Sequence, residues 1–345
     1  MRHLSEKQFW IYMRNFSAIG AIMMLSFAFV SAQMNLTELP IGGSISDAPE
    51  VGSVWSCSKS FDGRGATGNG PWLNLNAGTF DSTAKAIVDG AINWNGEFEA
   101  VIVGDNRIFT GNQVPVTHPT GIFPIASSDD AYQYDRNPHT ITEQTISLEV
   151  PANPTIADVS SCLNMGAIGI MRTGVVLFNS LDAVGRDAVA YETQDACEGH
   201  PESTGEYHYH NLSECVDELD NEEGHSLLMG YAFDGFGLYG HRGEDGEELT
   251  NEDLDECHGH THLIEWDGVM VEMYHYHATY EYPYTLGCFR GTPVVTQQQI
   301  GGQQPQSESR QPQGNGNLPQ GDNRPPQGNG NPPPGGGNPP PKPGG

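Results

Sequence analysis

Between Asp195 and Cys288 one arrangement of residues occurs twice. Asp195-Ala196-Cys197-Glu198-Gly199-His200 leads to Tyr207-His208-Tyr209-His210 and then Cys215, and Asp255-Glu256-Cys257-His258-Gly259-His260 leads to Tyr274-His275-Tyr276-His277 and then Cys288. Nothing else in the chain constrains it as tightly. If Tyr-His-Tyr-His is a strand, its period of two sends both histidines to one face and both tyrosines to the other. Two imidazoles at i and i+2 lie close enough to chelate one transition-metal ion, and a second such strand alongside would complete a site of His208, His210, His275 and His277.

His200 and His260 are candidate third ligands. His258, His260 and His262 also alternate and offer a further donor. An imidazole-only set suits copper or zinc, whereas calcium would require oxygen donors. Tyr207, Tyr209, Tyr274 and Tyr276, with nearby Asp and Glu, are candidates for the groups that orient the imidazoles from behind. The alternative is a metal-free core in which these His and Tyr side chains hydrogen-bond to one another or to the backbone. Ten of the 13 histidines lie from His200 to His277; of all 13, His139, His225 and His241 read as ordinary surface or loop residues.

The cysteines number six and leave no odd thiol. Cys197, His200, Cys257 and His260 could be drawn as a zinc site, since Cys-x-x-His is a ligand spacing. Outside the cytosol the thiols would be oxidised instead. The expected pairs are Cys197–Cys215 and Cys257–Cys288, each closing a loop around one histidine pair, with Cys57–Cys162 left over.

That compartment follows from the N-terminus. A basic lead (Arg2, Lys7, Arg14), an apolar run from Phe16 to Val30 and the small-residue ending Ser31-Ala32 describe a signal peptide over 1–32. The chain is then expected to be secreted, periplasmic or at the cell surface, with no membrane span left after cleavage. At the other end, 294–345 is a Gln/Asn/Pro/Gly-rich segment without the apolar residues needed to offset ordering. It is expected to be disordered, serving as a spacer, a solubilising tail or a contact to cell wall or matrix. Between them, 33–50 reads as a linker and 51–293 as the folded domain.

The net charge is −29. The leader carries +2 and the last 45 residues +1, so −32 falls on 33–300. Such a surface excludes nucleic acid as a partner, because nothing could neutralise a phosphate backbone. It favours cations, metal ions among them. The acidic stretches do not have calcium-loop spacing, and no Gly-x-Ser-x-Gly, His-Glu-x-x-His or Walker motif is present.

The local patterns are those of strands. Glu99–Val103, the turn-like Gly104-Asp105-Asn106 and Arg107–Phe109 predict a hairpin. Residues 145–150 alternate, and 168–171, 174–178 and 226–238 are apolar runs punctuated by glycine. Thr250 with Asp253 marks a short helix running through Leu254 into Cys257. The class is mainly β, sandwich-like or irregular, with short helices, long Gly-rich loops and disulfide staples.

The repeated motifs, with Asp234-Gly235-Phe236-Gly237-Leu238-Tyr239-Gly240, His118-Pro119-Thr120-Gly121-Ile122-Phe123-Pro124 and Tyr282-Pro283-Tyr284, closely resemble the YHYH-domain family across roughly 70–290. The resemblance implies an extracytoplasmic protein and fixes no activity. Two residues depart from the family pattern: Gly237 where proline is expected, and His258 where asparagine is expected. Three functions follow from the residues: a secreted copper- or zinc-binding protein, an extracytoplasmic metalloenzyme (hydrolase or copper oxidase) at the same site, or a structural matrix protein with a metal-free His/Tyr core.

Overall fold

A computed structural model describes residues 34–294, apart from 62, 64, 218, 219 and 222. Residues 1–32, read as a signal peptide, and nearly all of the segment read as a tail lie outside the described residues. Strands dominate. The first part of the chain holds β1 (Leu39–Pro40), β2 (Ile45–Ser46), β3 (Val54–Trp55), β4 (Leu73–Asn74), β5 (Thr79–Phe80) and β6 (Ile87–Val88). Then come β7 (Phe98–Val103), β8 (Asn106–Gly111) and β9 (Ile146–Pro151). The second half holds β10 (Ala167–Met171), β11 (Val176–Phe178), β12 (Gln194–Asp195), β13 (Gly199–Pro201), β14 (Tyr207–Tyr209), β15 (Leu228–Ala232), β16 (Gly237–Tyr239), β17 (Gly259–Trp266) and β18 (Val269–His277). Helices are single turns, such as α1 (Ala188–Tyr191).

The hairpin expected around Gly104 is β7–β8, and the alternating segment is β9, buried at every second residue through Val150. Thr250 and Asp253 do form a capping box, but the helix they start is one 3-10 turn, Asn251–Asp253, ending before Leu254. The segment read as a linker is folded. β1 pairs with β5, Leu39 is buried, and Gly42 donates its N–H to the buried Asp187 carboxylate at 2.8 Å.

One sheet carries the duplicated motifs, in the order β13-β14-β11-β10-β15-β16-β18-β17. Read outward from its middle, each half is the same object: an antiparallel hairpin, a Tyr-His-Tyr-His strand added parallel to it, and a Cys-x-Gly-His strand antiparallel outside that. The hairpins correspond at an offset of 61 residues, since Gly169, Ile170 and Met171 pair with Ala232, Tyr231 and Gly230. Each pair maps onto its own converse, as in a self-complementary two-fold contact. Gly169 and Gly230 make that contact possible. A Cβ at Gly169 would lie 2.8 Å from the Tyr231 carbonyl oxygen, and one at Gly230 would lie 2.7 Å from that of Ile170.

The three disulfides are Cys57–Cys162, Cys197–Cys215 and Cys257–Cys288, as expected. This removes the Cys2His2 zinc alternative, because no thiolate remains among the cysteines. By loop-closure entropy, the two bridges that close loops around the histidine strands destabilise the unfolded chain by about 3 and 4 kcal/mol. They hold short strands that could not otherwise fix their own ends. Among the described residues, no helix is long and apolar enough to cross a membrane.

Candidate metal centres

Alternation does what period two requires. Along β14, His208 and the adjoining His210 share one face while Tyr207 and Tyr209 take the other, and β18 repeats this with His275, His277, Tyr274 and Tyr276. The tyrosines therefore do not orient the imidazoles, contrary to the expectation from sequence. Tyr207 donates to Asp195 at 2.9 Å and Tyr274 to Asp255 at 2.9 Å. Tyr276 donates to Asp234 at 2.5 Å, and the Tyr209 hydroxyl meets His118 Nε2 at 2.5 Å.

These tyrosines explain the Asp-x-Cys-x-Gly-His motif. Each Asp accepts the N–H groups of the Cys and the Gly as well as the Tyr hydroxyl. The Tyr lies over the Gly, so that a Cβ at Gly199 would sit 2.2 Å from the Tyr207 oxygen and one at Gly259 2.5 Å from that of Tyr274. The motif is a clamp that fastens the Cys-x-Gly-His strand to the Tyr-His-Tyr-His strand. The carboxylates are buried for this, which raises the pKa of Asp195 and of Asp255 while the hydrogen bonds oppose the rise.

The backbone sets the histidine tautomers. His208 Nδ1 faces the Glu206 carbonyl at 3.1 Å and His210 Nδ1 that of Asn179 at 2.6 Å. In the second copy, His275 Nδ1 faces Met273 O at 3.1 Å and His277 Nδ1 faces Gly240 O at 2.7 Å. A carbonyl only accepts, so each Nδ1 carries the proton and each Nε2 is a bare lone pair. These lone pairs point at one another: His208 Nε2 to His210 Nε2 is 3.2 Å, and His275 Nε2 to His277 Nε2 is 3.1 Å.

The expected single four-histidine site does not form. Four strands lie between β14 and β18, a separation of about 24 Å at ~4.8 Å per step. Each pair instead meets the histidine of its own Cys-x-Gly-His strand, because the registers place His200 opposite His208 and His260 opposite His275. Centre 1 is His200, His208 and His210, all buried. Centre 2 is His225, His260, His262, His275 and His277. Within each centre the donor atoms lie within 4.8 Å of one another.

The additions differ between copies. In centre 2, His225 enters from the loop before β15, with Nδ1 against Ser226 O at 2.7 Å and Nε2 3.3 Å from His275 Nε2. His262, one alternation beyond His260, sets its Nε2 2.8 Å from that of His260 and pairs Nδ1 with Glu244 at 3.0 Å. Centre 1 has Glu192 alongside, 3.6 Å from His200 Nε2 and 3.5 Å from His210 Nε2. The ring of Phe178 stacks on His208 at 3.8 Å. His200 has no hydrogen-bond partner at either ring nitrogen although it is only 4 % exposed.

Burial disfavours the imidazolium at the three histidines of centre 1 and at His225, His260, His275 and His277 of centre 2. It pushes His208 down to about 4, His210 to about 3 and His260 to about 4, and holds His200 and His277 well below the usual histidine value. Glu192 is driven well above the carboxylate range by burial and by the neighbouring Asp135 charge. These seven donors are thus neutral imidazoles, the form in which histidine binds a metal.

Of the remaining histidines, His258 is no ligand. It adopts φ +75°, the left-handed region where asparagine is the commoner non-glycine residue, and its ring is used by His277 O, Asn251 and Thr279. His225 and His241 lie in loops but are not the ordinary surface residues they resemble in sequence. The first completes centre 2, and the second is buried and stacked on Tyr280 at 4.0 Å. No sequence signal separates His225 from a surface histidine, because its role depends on a strand 50 residues away. Glu192 is silent for the same reason.

Residues 147–249 match the family model described as YHYH protein. The chain carries a YHYH domain. No curated protein and no solved structure matches the chain. The YHYH match runs from β9 through all of the first copy and into the second, taking in His225 but ending before β17 and β18.

Proposed function

We propose that the chain is a secreted or cell-surface transition-metal-binding protein, with one copper or zinc ion at each histidine centre. The facing Nε2 lone pairs carry the reading. Neutral imidazoles whose Nδ1–H groups are committed to carbonyls cannot hydrogen-bond through Nε2 to each other. A proton between them would relieve the repulsion, but burial opposes it. A tetrahedral ion with bonds of 2.0–2.1 Å spaces its nitrogens about 3.3–3.4 Å apart, close to the separations in both centres. A purely structural His/Tyr core accounts for the tyrosines, satisfied by aspartates or, for Tyr209, by His118, and leaves the Nε2 atoms unaccounted for. Three disulfides support the extracytoplasmic location.

Elemental analysis of untagged protein secreted by its own leader should find about two ions per chain. His208→Ala with His210→Ala should lower this to one, and His275→Ala with His277→Ala should remove the other. Folded wild-type protein that takes up neither copper nor zinc in excess would overturn the reading.

A further inference from the structure

Centre 1 opens into a cavity of about 610 Å³, within the range of small-molecule sites. His200, His208 and His210 all line it, and His200 brings two buried ring nitrogens without hydrogen-bond partners. Phe178, Met165, Leu181 and Pro201 give it an apolar part to its lining. Of the four acids that line it, Glu192 lies against centre 1 itself, 3.6 Å from His200 Nε2 and 3.5 Å from His210 Nε2, and the other three are engaged elsewhere. Asp135 accepts the N–H groups of Asn137 and Thr193, Asp182 holds Arg186, and Glu202 accepts N–H groups of its own turn. Arg136 lines the same cavity, and among the described residues no carboxylate pairs with it. Three imidazoles also leave a tetrahedral ion one position, which an exchangeable ligand would contest with Glu192, whereas centre 2 has five imidazole donors.

We infer that centre 1 takes a small organic oxyanion as its exchangeable ligand, a carboxylate or phosphate monoester with an apolar body, and that centre 2 does not. The inference rests on metal binding at centre 1. The oxyanion supplies the donor that three imidazoles lack, Arg136 offsets its charge, and the Phe178 side of the cavity takes the body. An amine of the same size would meet the metal and Arg136 with the wrong charge.

The test uses cobalt(II) as the probe metal in protein whose second centre is disabled by His225→Ala, His260→Ala and His262→Ala, the half-buried members of that cluster. The visible spectrum is followed on adding benzoate, phenyl phosphate or benzylamine. A saturable shift with an oxyanion and none with benzylamine is expected, and the two oxyanions distinguish a carboxylate from a phosphate ligand. Arg136→Gln should weaken the Kd about fivefold, as for a partly exposed ion pair, with cobalt content unchanged. If the triple variant does not fold, wild-type protein with two cobalt ions should show the shift in only one of its two bands. A loaded centre 1 that ignores both oxyanions, or answers benzylamine equally, overturns the proposal and leaves metal binding standing. Failure to load cobalt at all removes both.

Discussion

The two halves of the central sheet share hairpins, registers, clamps and disulfides, yet they finish their histidine clusters differently. At the position of His225 in the second copy the first has Asn164, at an offset of 61 residues, and at the position of His262 it has Glu202, at an offset of 60. Asn164 lends its carbonyl to Asn179, and Glu202 folds back into its own turn. Conversely, Glu192 reaches into centre 1, while its counterpart at an offset of 60, Glu252, is exposed on the turn begun at Thr250. The clamp of Asp, Gly and Tyr fixes three imidazoles in each copy. The residues around that frame decide whether the cluster is closed by more imidazoles or left open to a cavity. A duplicated scaffold can thus carry two chemistries without altering its backbone.

The largest effect expected is acid lability of the metal-free protein, and it tests what the halves share. Histidines whose folded pKa lies below the unfolded value near 6.5 contribute stability that is complete above that value and is lost as pH falls through it toward the folded pKa. For His208 and His258, both near 4, this amounts to roughly 3 kcal/mol each. Urea unfolding of chelated protein should show stability falling steeply between pH 6.5 and 4. Replacing His208 and His210, or His275 and His277, with alanine should flatten that slope, and stability that is level over the range in the parent would contradict the buried neutral state.

Next in size is the difference between the centres. Five donors against three should make centre 2 the tighter site by about 100-fold, or ~2.7 kcal/mol. A graded chelator titration, read against each double-alanine variant, should empty centre 1 first. The reverse order would mean that Glu192 contributes more than the two added imidazoles.

The smallest effect separates the clamps. Asp195 is nearly fully buried and Asp255 less so. Asp195→Asn should therefore cost about 3 kcal/mol and Asp255→Asn about 2, the gap reflecting desolvation of the groups left unpaired. Equal losses by denaturant unfolding would show the two clamps to be equivalent.

Much of this was legible in the order of residues. The repeat, the disulfide pairs, the mainly β class and the division of His and Tyr between strand faces follow from local spacing, because a strand alternates whatever surrounds it. Motif proximity suggested His200 and His260 as neighbours of the histidine pairs, and the registers set them opposite His208 and His275. Four features depended on strand order and long-range packing. They are the separation of the two histidine pairs, the backbone carbonyls that set the tautomers, the entry of His225 into centre 2 and the cavity above centre 1. Sequence spacing says which side chains share a face, but a sheet can place two identical strands side by side or four strands apart. Here the close contact at Gly169 and Gly230 joined the copies through their hairpins, which sent the histidine strands outward and made two centres from what the motif alone suggested was one.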